Sequence, residues 1–181
     1  MIVAFDVHYL ENGYASAAAV LFSAYSDAEP ASAFTRLLPE PADYRSGEFY
    51  RRELPCLLKL VEEIKETLNE IIIDGYVMLG DKPGLGQHLF ESLAGKIPVI
   101  GVAKSKFRGS HDVEIIRGRS TKPLYVTSAG VNQLEAAEKI RTMHGAYRIP
   151  TLLKRVDLLA RGFETFEKSP LLPNLGVRLK F

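Results

Sequence analysis

The sequence predicts a mixed-sheet α/β domain. Three apolar segments before Pro39 read as an antiparallel meander. Beyond them, short apolar strands alternate with amphipathic helical stretches. A length of 181 residues suits one domain with its own core.

Taken in order, Met1–His8 is an apolar run interrupted by Asp6. Asn12-Gly13 is a strong hairpin dipeptide, and Tyr14–Tyr25 is the returning strand. A third strand lies near Ala33–Leu38, and Pro39–Ser46 is a loop. Gly47–Glu70 carries Leu54, Leu57, Leu58, Val61, Ile64 and Leu68 at helical spacing. Pro55 fits only near a helix start, so the regular helix is expected to begin close to Glu53. A strand Ile71–Asp74, a glycine-rich loop and a helix around Gln87–Ala94 follow. Strands are expected at Pro98–Ala103, Asp112–Gly118 and Pro123–Ser128, and helices at Val131–His144 and Thr151–Arg161.

Composition narrows the class of protein. The chain is 46% hydrophobic and 25% charged, with a formal net charge of +1. Any contact with nucleic acid must therefore come from local clusters rather than a global positive field. A single cysteine, Cys56, leaves no disulfide framework and no multi-cysteine zinc site. Its setting, "LPCLL", is that of a buried, inert thiol. No apolar run reaches membrane-spanning length, and no signal-peptide pattern opens the chain. The expectation is a cytoplasmic monomer without membrane contact.

Four acids occupy unusual positions. Asp74 closes the strand "IIID" and has an ordinary reading as a turn residue. Glu53 suits a helix N-terminus. Asp157 has Lys154 and Arg161 at helical neighbour spacing. Asp6 is harder to explain, because a charge inside a buried strand costs several kcal/mol, on the order of known burial penalties, unless it is paired or metal-bound. Carboxylate oxygens are natural ligands of Mg²⁺. Acids converging at a sheet edge would hold metal for phosphodiester hydrolysis. Gly80, Gly84 and Gly86 lack the GK[ST] of a phosphate loop. "KSKFRG", Lys104–Gly109, is a solvated loop or a contact to a nucleic-acid backbone. His8 and His144 read as ordinary polar residues rather than ligands, and His111, next to Asp112, lacks a partner motif.

The order of motifs resembles the endonuclease V family of RNase H-like nucleases. Asp6-Val7-His8-Tyr9 matches its opening strand. "YRSGEFYRRE" supplies Tyr44, Gly47, Arg52 and Glu53 at its offsets. Asp74-Gly75, "IGVAK" (Ile100–Lys104), "KPLYVTSAG" (Lys122–Gly130) and "YRIP" (Tyr147–Pro150) before Asp157 follow in the family's order. The resemblance implies one endonuclease V-like domain over residues 1–181, with antiparallel N-terminal strands, then parallel strands, flanked by helices. It implies that Asp6, Glu53, Asp74 and Asp157 bind Mg²⁺, with Mn²⁺ as a substitute, and that Lys104 lies by the scissile phosphate. Tyr44, in a loop that wedges into DNA, and Gly75, His88 and Gly130 would contact substrate. The implied activity is cleavage of DNA near deoxyinosine, or of RNA near inosine, in nucleic-acid repair, with the base rotated out of the stack.

The chain also departs from the pattern. Where the family carries His-Pro-Arg-Arg after Asp-Gly, this chain reads "YVMLGDKPGLGQH". The first histidine and the arginine pair are replaced, and His88 matches the second histidine. "DYRSG" stands where Pro-Tyr-x-Pro-Gly is usual, and "GVNQL" replaces Gly-His-Arg-Ile-Ser. Two alternatives follow: a nuclease of the same mechanism with another substrate, and a catalytically impaired nucleic-acid-binding homologue.

Overall fold

The computed structural model describes residues 1–39 and 50–165. Tyr44 and Gly47 lie outside the described residues. Strands β1 (Ile2–Tyr9), β2 (Tyr14–Phe22) and β3 (Ser32–Pro39) form the antiparallel meander expected from the turn signals. The Asn12 side chain accepts the Tyr14 amide at 3.2 Å, and Gly13 takes φ +76°, as the Asn-Gly turn requires. Helix α1 (Tyr50–Glu63) leads to β4 (Glu70–Asp74), which pairs in parallel with β1. A small hairpin of β5 (Met78–Leu79) and β6 (Lys82–Pro83) precedes α2 (Leu85–Ser92) and β7 (Val99–Ala103). After β8 (Val113–Ile115) and β9 (Leu124–Ala129) come α3 (Gln133–Thr142) and α4 (Thr151–Ala160). The main sheet runs β3-β2-β1-β4-β7-β9-β8.

Side-chain alternation divides the core in two. Ile2, Ala4, Ile72, Ile100 and Val102 point to the face covered by α3 and α4. Val3, Phe5, Ile71, Ile73 and Val99 point to the face covered by α1 and α2. Strands buried on both faces read as continuous apolar runs, which is why "IVAF" and "EIII" carry so little polarity. Helix α4 crosses β1 and β2 on the first face.

The mixed sheet is as expected, with its parallel part confined to β1, β4 and β7. A helix intervenes between β1 and β4 and again between β4 and β7. None separates β7 from β9, so β9 and β8 return antiparallel. Helix α1 differs from expectation at both ends. It is regular from Tyr50, three residues before Glu53, with exposed Pro55 in its second turn. The helical bond that Pro55 cannot donate falls at Arg51, on the exposed side of the helix. The helix stops at Glu63, and Ile64 and Leu68 pack on the core from the following connection. Cys56 is buried as expected, and burial, with the charge of Glu53, pushes its thiol up to about 11.

Candidate active site

Parallel pairing places two acids side by side. Phe5 pairs with Ile73, so the next residues, Asp6 and Asp74, are neighbours at the carboxyl ends of β1 and β4. By alternation both belong to the α4 face. Asp74 pairs with Val102 of β7, two residues before Lys104. The Lys104 ammonium donates to Asp74 Oδ2 at 2.5 Å. Asp157 comes from α4 on the same side, and Glu53 reaches the cluster from α1 on the other. Open α/β sheets bind ligands at such strand ends.

The four acids share one field. Burial pushes Asp6 up to about 6, with the charges of Asp74 and Asp157 adding to it. The Val7 amide, 2.8 Å from Asp6 Oδ1, and Lys104 oppose this shift. Burial pushes Glu53 up to about 8, reinforced by Asp6 and Asp74 and opposed by Arg52. For Asp157, burial raises the pKa, but Lys154 at 2.7 Å and Arg161 at 2.8 Å outweigh it and hold the acid below its ordinary value. Burial depresses Lys104, but its bond to Asp74 and the surrounding acids raise it overall.

A cavity of about 240 Å³ opens beside Glu53 and Asp74, walled by Tyr50, Gly75, Tyr76 and Leu79. The Tyr76 hydroxyl donates to the Ser105 carbonyl at 2.9 Å and accepts the Phe107 amide at 3.0 Å. It thereby ties the segment after Lys104 to this wall. His88 stands behind the cavity, its ring stacked on Tyr50 at 3.8 Å.

Of the sequence-derived site residues, Asp6, Glu53, Asp74, Lys104 and Asp157 form one electrostatic group. Gly75 lines the adjoining cavity. Gly130 is not brought there. Because β9 runs antiparallel to β7, Gly130 follows the pair Val99–Ala129 at the far end of β7, with Phe90 and Pro98 against its α-carbon. Its φ of +76° and that packing make it a structural glycine. Gly84 and Gly86 likewise serve close backbone packing on Tyr76 and Val77 rather than a phosphate. Sequence reasoning did not single out Tyr50, Tyr76 or Arg148. The Arg148 side chain donates to the carbonyls of Lys104 and Pro123, the latter at 2.7 Å. Only its place in "YRIP" marked it.

The donor set is all carboxylate oxygen, the chemistry that suits Mg²⁺. Among the described residues no three side chains of the metal-binding types stand as a ready cation cage. Asp74 and Asp157 instead hold cations of the chain itself. Two acids with raised pKa values, half-buried Asp6 and buried Glu53, gain from added positive charge, so the residues fit a divalent cation.

Among the described residues no helix is long and apolar enough to cross a membrane. The chain is 27% identical to endonuclease V of Nostoc punctiforme over 177 residues, spanning 86% of this chain and 79% of that protein. Its fold superposes on the catalytic domain of human endonuclease V with a TM-score of 0.73 at 24% identity, covering 90% of this chain and 81% of that one. Ciona intestinalis endonuclease V, solved in complex with a 24-mer DNA containing an inosine followed by a ribo-adenosine, is similar with a TM-score of 0.73 at 20% identity, covering 90% and 84%. The Endonuclease V family model matches residues 1–140, a span that holds Asp6, Glu53, Asp74 and Lys104, and the chain belongs to the endonuclease V family.

Proposed function

We propose that the chain is a Mg²⁺-dependent endonuclease that hydrolyses a phosphodiester bond near deoxyinosine in DNA, or near inosine in RNA. The observation that carries this reading is the convergence of Asp6, Glu53, Asp74, Asp157 and Lys104 at the strand ends. Asp6, Glu53, Asp74 and Asp157 would hold the metal. When bound, Mg²⁺ supplies countercharge to phosphate oxygens and acidity to a water. Lys104, released from Asp74, offers its ammonium to charge developing on the phosphoryl group. In this reading the cavity beside Asp74 takes a base rotated out of the strand. Its Tyr50 and Tyr76 walls give such a base aromatic surface.

Support for inosine as the base comes from family membership and from the inosine-containing DNA held by the Ciona relative. The test is incubation of the protein with Mg²⁺ and an inosine-bearing strand. Cleavage beside the inosine that disappears in Asp74→Ala is expected. Cleavage that persists in that variant would refute the assignment.

One observation favours a different substrate. The hairpin β5–β6 occupies the place of the family's His-Pro-Arg-Arg segment, and its turn residue Gly80 sits against the Gly109 carbonyl. Unmodified branched DNA cleaved as fast as inosine DNA would establish that reading.

A further inference from the structure

Two further cavities continue from the acid cluster on the α4 side. The first, about 460 Å³, adjoins Lys104, Asp157, Arg161 and Phe163. The second, about 920 Å³, runs along Arg119, Tyr147, Arg148 and Lys154. They share Ile149, Lys154 and Leu158, so they form one groove that begins at the Asp74–Lys104 pair. Six cationic side chains line it against three carboxylates and the Asp74 at its head, an excess of two in a chain whose whole net charge is +1. Such a local surplus is what a phosphate backbone requires.

The groove is also stiff and aromatic. Tyr147 is 80% exposed and Phe163 75% exposed. Tyr147 sits on a loop held from below by Arg117. That buried guanidinium donates to the carbonyls of Tyr147 at 2.7 Å, Gly145 at 3.3 Å, and Met143. Next to it, Gly118 packs on the main chain of Ala146 with no room for a side chain. The turn carrying Arg119 and the loop carrying Tyr147 are therefore locked side by side. Rigid aromatic rims find stacking partners in unstacked bases, whereas a duplex hides its base faces.

We propose that this groove, running from Asp74 and Lys104 past Lys154 and Arg161 to Arg119 and Tyr147, is the track for a single-stranded nucleic-acid segment on one side of the cleaved bond. Its place in a reaction rests on the nuclease reading above. Its binding does not.

The test measures fluorescence anisotropy of a labelled oligodeoxythymidylate of about 15 nucleotides. The full chain is used without added divalent metal, and an oligouridylate of the same length forms the second arm. A Tyr147→Ala/Arg119→Ala double variant is expected to bind at least ~10-fold more weakly. Arg119→Ala alone is expected to shrink the slope of log affinity against log salt by about 0.7. Lys59→Ala, on the exposed face of α1, is the unchanged control, and circular dichroism confirms that each variant is folded. Unchanged affinity and slope overturn the proposal. So does a fully paired duplex that binds as tightly as the strand with the same loss in the variants. Should the parent cleave inosine DNA while the variants bind like it, the groove falls and the nuclease reading stands. Should the parent cleave nothing while the variants lose affinity, the groove stands and the nuclease reading falls.

Discussion

The carboxyl ends of β1 and β4 and the segment Tyr76–His88 that follows them are adjacent in space and opposite in character. The strand ends carry Asp6 and Asp74 on backbone fixed by central parallel pairing. The following segment is a two-residue hairpin with exposed Asp81 and Lys82 at its tip. The first carries Asp6 and Asp74, two of the four acids that the family resemblance implies, and the second departs from that resemblance. Catalytic groups need rigid support, whereas substrate-reading surface tolerates rebuilding. In this chain the two requirements are met by consecutive residues.

The comparison can be broken most forcefully at the strand ends. Asp74→Ala is expected to lower the cleavage rate at least ~10³-fold, measured by gel assay on an inosine-bearing strand. A smaller effect there would mean that Asp74 serves the turn alone. Lys104→Ala is expected to cost on the order of 10²-fold in kcat.

Titration gives the next effect. Asp6 and Glu53 have folded pKa values of about 6 and about 8, above those of an unfolded chain. The folded protein therefore holds extra protons in this range, and stability without metal falls as pH rises from about 4 to about 8. Glu53→Gln is expected to flatten that fall and to raise the thermal midpoint at pH 8 by at least ~3 °C relative to the parent. An unaltered pH profile would show that folding does not shift the pKa of Glu53. Because metal ligands must be deprotonated, millimolar Mg²⁺ or Mn²⁺ is expected to raise the midpoint more at pH 8 than at pH 5. Equal shifts, or none, in differential scanning fluorimetry would favour the impaired homologue.

At the far end of β7, Gly130→Ala is expected to lower the thermal midpoint by several degrees, on the order of 1–3 kcal/mol of strain, while leaving the kcat of the folded fraction intact. A selective loss of kcat would return Gly130 to the site. The smallest effect is expected in the hairpin. Asp81 and His111 are both exposed and 3.9 Å apart, so Asp81→Asn is expected to change stability by less than about 0.5 kcal/mol in urea titration.

How much of this was legible in the sequence follows from what each feature depends on. Period-2 and period-3.6 patterns mark every long element, and an aspartate inside "IVAFDV" marks itself by its burial cost. Ordered motifs identified the acids and Lys104. Pro55 misled about the start of α1, because whether a missing donor matters depends on whether it falls on the exposed or the buried side of the helix. Strands of two residues have no period, so β5–β6 read only as a glycine-rich loop. Arg117 was invisible because its partners are main-chain carbonyls 24 to 30 residues away, a pairing no local pattern encodes. Gly130 matched a motif but lies away from the acids, since antiparallel pairing carries it to the opposite end of the strands.

The register of β1 against β4 has a kinetic consequence. Asp6 and Asp74 are set side by side by the main-chain pairing that ends at Phe5 and Ile73 rather than by a loop that closes over substrate. Separating them requires breaking the central strands, an event with nearly the free energy of global unfolding. Amide protons of Ala4 and Ile72 should therefore exchange only on the timescale on which the whole domain opens. The acidic pair will persist, substrate or no substrate, for as long as the domain itself does.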